Sequence, residues 1–180
     1  MASRVRFSGE NVALNSIAEH HRDLESSLRL YFSAASPRFR DRFLGYSSRE
    51  VSDELAARLN EIELTSTLAI LSSIEAMFRI DYLQRCYLRR KDDLSRNFRD
   101  LHRDRGNRVG LEDELLGGWS RNTTGASQII GDLRAAFKFR HWLAHGRCWT
   151  PSRTFSFDDI FSLAEATLQT FPFIGHEIVR

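Results

Sequence analysis

The chain is short of cysteine, proline and lysine, and it lacks strands, repeats and long apolar runs. Its two cysteines, Cys86 and Cys148, follow no CxxC pattern, and reduced thiols in a cytoplasmic protein are the simplest reading. No apolar run approaches the length of a membrane span, and the first residues carry no signal-peptide core, so neither a membrane partner nor secretion is expected. No stretch alternates polar and apolar residues between turn signals, which argues against a sheet. There is no internal repeat or low-complexity tract. Of the three prolines, Pro37 and Pro172 each close a helical pattern and Pro151 falls in a loop. Neither glycine nor proline occurs between Ser47 and Gly106.

What remains describes an ordinary globular protein. Apolar residues make up 42% of the 180 and charged residues 28%, which suits a single domain over residues 1–180 with one buried core, behind a loose lead-in at 1–9. The fold class that follows is all-α. The net charge of +2 is too small to announce a nucleic-acid partner. The kind of charge is more telling, because Lys91 and Lys138 are the only lysines among 26 basic residues. Arginine presents a planar fork that fits phosphate and stacks on bases, but a GC-rich genome favours arginine codons everywhere, and taken alone that is the favoured reading of the bias.

Helical periodicity sets the elements. Leu14, Ile17, His21, Leu24, Leu28 and Phe32 repeat at three and four residues, giving an amphipathic helix ended before Pro37. His20 and His21 have no partner at ligand spacing and read as surface or core-edge residues. In the loop at 34–46, Phe39 and Phe43 interleave with Arg38, Arg40 and Arg42. Such a pattern can clamp single-stranded nucleic acid, but two phenylalanines tucked into the core is the favoured reading. Ser47 and Glu50 form a capping box, followed by one very long helix or by two with a corner near 63–67. Its second part places Leu64, Leu68, Leu71, Phe78 and Tyr82 on one face, with Glu75 in the middle. From Arg79 to Arg108 charge is dense, and a solvated face with internal ion pairs is favoured over a phosphate-binding surface. Asp92 or Asp93 is expected to cap a short helix that Gly106 ends. A further short helix, Leu111–Trp119, is expected to stop at Gly117-Gly118. The last helix starts at Ser156 and points Phe157, Ile160, Phe161, Ala164, Leu168 and Phe171 inward.

The remaining helix, from about Ala126 to His145, concentrates the chemistry. At about 100° per residue, Arg134, Lys138, His141 and His145 form one basic stripe. Ile129, Ile130, Leu133, Ala136, Phe137, Leu143 and Ala144 form a broad apolar arc, and Arg140 sits inside it. A charge on a buried face must be paired, solvated by a cleft or used. Glu75 mirrors Arg140 on the other apolar face, so the two are expected to neutralise each other through a bidentate contact where the faces meet. Gly146 suits a left-handed cap, which leaves His145 in the last turn, where the helix dipole favours an imidazolium.

Three chemistries compete for this helix. A zinc site at His141-x3-His145 is weakly supported, because Trp142 stands where a zincin has its glutamate and no third ligand falls at informative spacing. No metal or cofactor is therefore expected. A structural reading makes the histidines core-edge residues and Arg140 an interior ion-pair partner. The third reading is metal-free phosphodiester cleavage, in which RNA supplies its own 2′-hydroxyl nucleophile. The protein then needs a proton donor or acceptor near neutral pH and a fixed cation for the charge developing on phosphorus. On an ideal helix Arg140 and His145 point about 140° apart, so one copy converges poorly on a phosphate. A two-fold dimer through this helix removes the difficulty.

Arg140-His141-x3-His145 resembles the R-(N/H)-x3-H signature of the HEPN superfamily. The wider string Phe139–Arg147 with Trp149, and the earlier segment Leu71–Tyr82, are similar to its RiboL-PSP-HEPN branch. The resemblance implies a helical bundle that dimerises with both arginine–histidine pairs facing one cleft. It implies a metal-independent endoribonuclease that leaves a 2′,3′-cyclic phosphate, in toxin–antitoxin, abortive-infection or stress systems. Carried over, Arg140 and His145 are catalytic, His141 is the polar position of the signature, and Glu75 is an acidic support. Lys138, Arg134, Arg147 and Arg79 are the candidate RNA contacts. Members that keep the fold without activity make a non-catalytic module binding RNA, a nucleotide or a partner protein the alternative. Arg147 stands where some toxins of the superfamily carry the tyrosine their antitoxin modifies, so that route is not supported, and Cys148 reads as a packing residue.

Overall fold

The computed structural model describes residues 4–174. Among them every regular element is helical, and no helix is long and apolar enough to cross a membrane. The order is α1 (Leu14–Tyr31), α2 (Phe39–Arg42), α3 (Ser48–Tyr87), α4 (Asp93–Arg105), a 3₁₀ turn (Gly106–Arg108), a π turn (Leu111–Leu115), α5 (Leu116–Asn122), α6 (Ser127–Ala144) and α7 (Phe157–Thr170).

Helix α3 is the axis. With no glycine or proline to interrupt it, its 40 residues run unbroken, a length of about 60 Å at 1.5 Å per residue. Of the two possibilities the sequence leaves open, one long helix or two with a corner near 63–67, the single helix is the one that forms. Ser47 opens the helix with the expected capping box: its hydroxyl accepts from the Glu50 amide at 3.3 Å, and the Glu50 carboxylate accepts from the Ser47 amide at 2.8 Å. The Ser47 amide and hydroxyl, both donating to the Glu50 carboxylate, hold it below its ordinary value. The first turns of α3 are largely exposed, whereas Ile70, Leu71, Ile74 and Phe78 have no accessible surface. Helices α1, α4, α6 and α7 all pack on α3; the buried residues of α3 lie from Ser66 onward.

The other caps follow the sequence closely. Asp92 caps α4, accepting from the Ser95 amide at 3.0 Å, and Gly106 ends that helix at φ +59°. Ser156 and Asp159 form a second capping box at α7. The phenylalanines of the 34–46 segment pack beside the main core, not within it: Phe43 is buried against Phe32 at 4.9 Å and Phe39 is half-buried 5.1 Å from Phe43, while Arg42 pairs with Glu54 at 2.6 Å. His21 is a core-edge residue stacked on Phe157 at 4.0 Å.

A buried polar node locks α3 to the end of α7. Arg85 bonds Asp81 at 2.7 Å, Asp92 at 3.2 Å and the Pro172 carbonyl at 2.9 Å, while Asp81 also accepts from the Ile174 amide at 2.8 Å. Burial raises the Asp81 carboxyl above its ordinary value, against the pull of the Ile174 amide and Arg85. Each buried charge here has a partner, the condition under which a charge is tolerated inside a protein.

The expectation that Gly117-Gly118 stops a helix is wrong. Helix α5 runs through both glycines to Asn122, and the segment before it, Leu111–Leu115, is a π turn. Packing decides the matter: a Cβ built on Gly118 lies 2.6 Å from Cε1 of Phe98, a ring with no accessible surface on α4. Glycine is there so that α5 can approach α4. At Gly117 the nearest contact to such a Cβ is the end of the Arg121 side chain at 3.5 Å. Gly118→Ala is therefore expected to destabilise the protein by about 1–3 kcal/mol through overpacking. Gly117→Ala is expected to be neutral or to stabilise by up to about 1 kcal/mol through helix propensity. Paired urea titrations decide this, and equal effects would show that the close approach to Phe98 is not the reason for glycine.

Candidate active site

The site is assembled where α6 crosses α3. Helix α6 buries Ile130, Leu133, Ala136, Phe137 and Phe139, which fixes its rotation and carries Arg140 to the edge of the same face. Arg140 is one-third exposed and Glu75, opposite it on α3, 15% exposed. Their closest approach is Nη2 to Oε2 at 3.1 Å. The contact is not the bidentate fork expected from the helical wheels, because Glu75 is shared. Its Oε1 accepts from Nε of Arg79 at 2.7 Å. One carboxylate thus faces two guanidinium groups and leaves Arg140 incompletely satisfied. Nε of Arg140 is buried with no hydrogen-bond partner among the described residues.

Arg140 opens onto a cleft of about 840 Å³ whose lining includes Glu75, Lys138, His141, Trp149 and Arg153. The π turn supplies the facing wall with Leu111, Glu112 and Asp113. Extra-wide turns inside helices recur at functional sites, and this one is held by the Leu115 amide donating to the Gly110 carbonyl at 3.1 Å.

The end of α6 is a left-handed stop. His145 is the C-cap, Gly146 has φ +78° and Arg147 φ +57°. The Arg147 amide reaches the Trp142 carbonyl at 3.1 Å and the His145 amide the His141 carbonyl at 3.1 Å, the six-to-one closure of a Schellman motif. Gly146 does what the sequence suggests, but His145 lies just past the last helical turn instead of within it. Arg147 adopts a backbone conformation unfavourable for a side-chain-bearing residue, offset by a two-pronged contact with Glu61 at 2.8 and 2.9 Å. Those bonds hold the Glu61 carboxyl below its ordinary value. The loop then folds back: the Trp142 indole donates to the Trp149 carbonyl, and the Arg153 guanidinium lies 4.5 Å over Phe155.

His141 and His145 are exposed, with ring centroids 4.1 Å apart. His141, Arg140 and Glu75 line the cleft; His145 lies beside it, outside its lining. The candidate RNA contacts divide. Lys138 is exposed in the cleft. Arg134 reaches back to the Glu112 carbonyl at 3.4 Å, Arg79 is taken up by Glu75 and by the Val109 carbonyl at 3.3 Å, and Arg147 by Glu61. Arg134 and Arg79 thus contact cleft-lining residues, Glu112 and Glu75, whereas Arg147 ties the turn after α6 to α3. Cys148 is exposed, not packed, and its thiol donates to the His145 carbonyl at 3.4 Å. Trp149, Arg153 and the acids of the π turn are cleft residues that periodicity does not reveal. Only the recurrence of tryptophan at 142 and 149 hints at the loop's return.

The arrangement defines an all-helical protein with a mixed-charge cleft, one half-shielded arginine and an adjacent imidazole pair. No family model, curated protein or solved structure matches this chain.

The shared carboxylate makes a quantitative expectation. Glu75→Gln keeps the shape but removes the charge facing Arg79 and Arg140, and is expected to cost about 1–3 kcal/mol. Combined with Arg140→Gln, the loss is expected to fall short of the sum by about 0.5–3 kcal/mol, as for residues in direct contact. A double-mutant cycle by denaturant unfolding measures this, and strict additivity would mean that the ion pair contributes nothing.

Proposed function

We propose that the chain is a HEPN-like, metal-independent endoribonuclease of the RiboL-PSP-HEPN type, acting as a homodimer. The observation that carries this reading is the state of Arg140. It lies on the inward arc of α6, is only partly neutralised by a carboxylate that also serves Arg79, and opens into a cleft next to His141. A core ion pair needs no cleft; a group meant to receive a phosphate does.

In the proposed reaction the 2′-hydroxyl oxygen of RNA attacks the adjacent phosphorus and the bond to the 5′-oxygen breaks. The products are a 2′,3′-cyclic phosphate and a 5′-hydroxyl end. Arg140 stabilises the extra negative charge on the phosphoryl oxygens in the transition state. His145 exchanges the proton, taking it from the 2′-hydroxyl or giving it to the leaving oxygen. Glu75 positions Arg140, and Lys138 and His141 line the approach. His145 stands outside the lining of the cleft within one chain, and two copies related by a two-fold axis along α6 would bring the arginine of one and the histidine of the other to one phosphate. A toxin, defence or stress role in the cytoplasm, with an inhibitory antitoxin as partner, fits this chemistry.

The same position of His145 favours a second reading, a non-catalytic helical module that binds RNA, a nucleotide or a partner protein in the cleft. Incubation of purified protein with single-stranded RNA in excess EDTA separates the two. Cleavage is expected to persist, with cyclic phosphate ends, and to fall at least about 100-fold in both Arg140→Ala and His145→Ala. RNA bound but uncut by the wild type supports the binding module, and cleavage abolished by EDTA contradicts both.

A further inference from the structure

Two imidazoles stand side by side at the end of α6, that of His141 in its last turn and that of His145 at its C-cap. The rings of His141 and His145 are 4.1 Å apart between centroids and inclined at 49°. Both residues are exposed, and their four-residue spacing sets them on one face of the helix end. Neutral imidazoles are metal ligands, and two of them presented four residues apart on one helix face can share an ion.

The spacing of the two rings is close to what such an ion needs. With metal–nitrogen bonds of about 2.0–2.1 Å, two imidazoles at 90–110° bring their ring centres to about 4.5–5 Å. The observed pair must therefore open by about 1 Å or less, a small rotation for exposed side chains. Among the described residues no group of three or more His, Cys, Asp or Glu side chains could hold a metal. Two imidazoles with water completing the shell make an exchangeable site, unlike a structural or zincin-type centre. Nitrogen ligands select borderline cations such as Cu²⁺ and Zn²⁺ over Mg²⁺ and Ca²⁺, which prefer oxygen.

We infer that His141 and His145 form a two-imidazole binding site for a borderline divalent cation, Zn²⁺ or Cu²⁺, and that an ion seated there switches the cleft off. The inhibitory half rests on the proposed ribonuclease reading, because an ion on His145 occupies the lone pair that proton transfer needs. The binding half does not. The site also lies beside Trp149, whose ring is 5.9 Å from that of His141, so a bound Cu²⁺ is within reach of an exposed fluorophore.

Isothermal titration of the full chain with Cu²⁺, and separately with Zn²⁺, tests the site near pH 7.5, with Trp149 fluorescence followed in the Cu²⁺ titration. Binding is expected to weaken at least about tenfold in His141→Ala and in His145→Ala, because each variant loses the second, pre-positioned ligand. His20→Ala, on the exposed face of α1, is expected to bind as wild type. Affinity is expected to fall at pH 5.5, where protons compete for the imidazoles. Equal affinity in the wild type and both single variants would overturn the site. If the wild type cleaves RNA, saturating Zn²⁺ is expected to stop it and EDTA to restore it, and cleavage unaffected by saturating Zn²⁺ would overturn the inhibitory role. A chain that binds Cu²⁺ through both histidines yet never cuts RNA keeps the site and loses the ribonuclease reading.

Discussion

A guanidinium from α6 and a carboxylate from α3 meet at the edge of the core, and the surroundings of that contact follow from the need to keep both charges tolerable. Glu75 cannot be left alone at 15% exposure, and Arg140 cannot be left alone on an arc it shares with Ala136 and Phe137. Their contact neutralises much of the cost of burying either charge. It also ties α6 to α3 at the edge of the face that the buried apolar residues of α6 turn inward. Arg79 then divides the carboxylate and ties it to the backbone at Val109, next to the π turn. Cleft, facing wall and imidazole pair are all placed relative to this one contact.

The rest of the fold supplies rigidity from a distance. The uninterrupted α3 carries both Glu75 and the Asp81–Arg85 node, so the site and the most deeply buried ion pair share one rigid rod. Arg85 reaches past the end of α7, and α7 packs on α6 as well as on α3. The cleft thus sits among elements each anchored at a second place. A charged group intended for catalysis benefits from such support, because electrostatic stabilisation depends on dipoles and charges that do not reorganise.

Much of this was legible in the sequence, and for identifiable reasons. Capping residues act locally, so Ser47, Asp92 and Ser156 mark helix starts whatever the tertiary context, and Gly106 and Gly146 mark stops because left-handed backbone favours glycine. A lone charge on an apolar stripe is also a local signal, which is how Arg140 and Glu75 stand out before their faces are known to meet. What escaped depends on partners remote in sequence. Gly118 looks like a helix stop until the Phe98 ring is set against it. Glu75 looks like half of a simple fork until Arg79 claims one oxygen. Arg134, Arg79 and Arg147 look like free cations until carbonyls and Glu61 engage them. Nothing in the order of residues says that the loop after His145 turns back to place Trp149 and Arg153 in the cleft wall.

The central claim is that Arg140 of one subunit and His145 of the other act on one phosphate. Mixing two inactive variants tests it most directly: Arg140→Ala and His145→Ala protein are unfolded together, refolded at equal concentration and assayed on RNA. Random reassortment makes half of the dimers mixed, each with one intact site of two, so the account predicts recovery of about one quarter of wild-type cleavage. No recovery from dimers shown to be mixed would mean that the two residues act within one chain or not at all, and would contradict it.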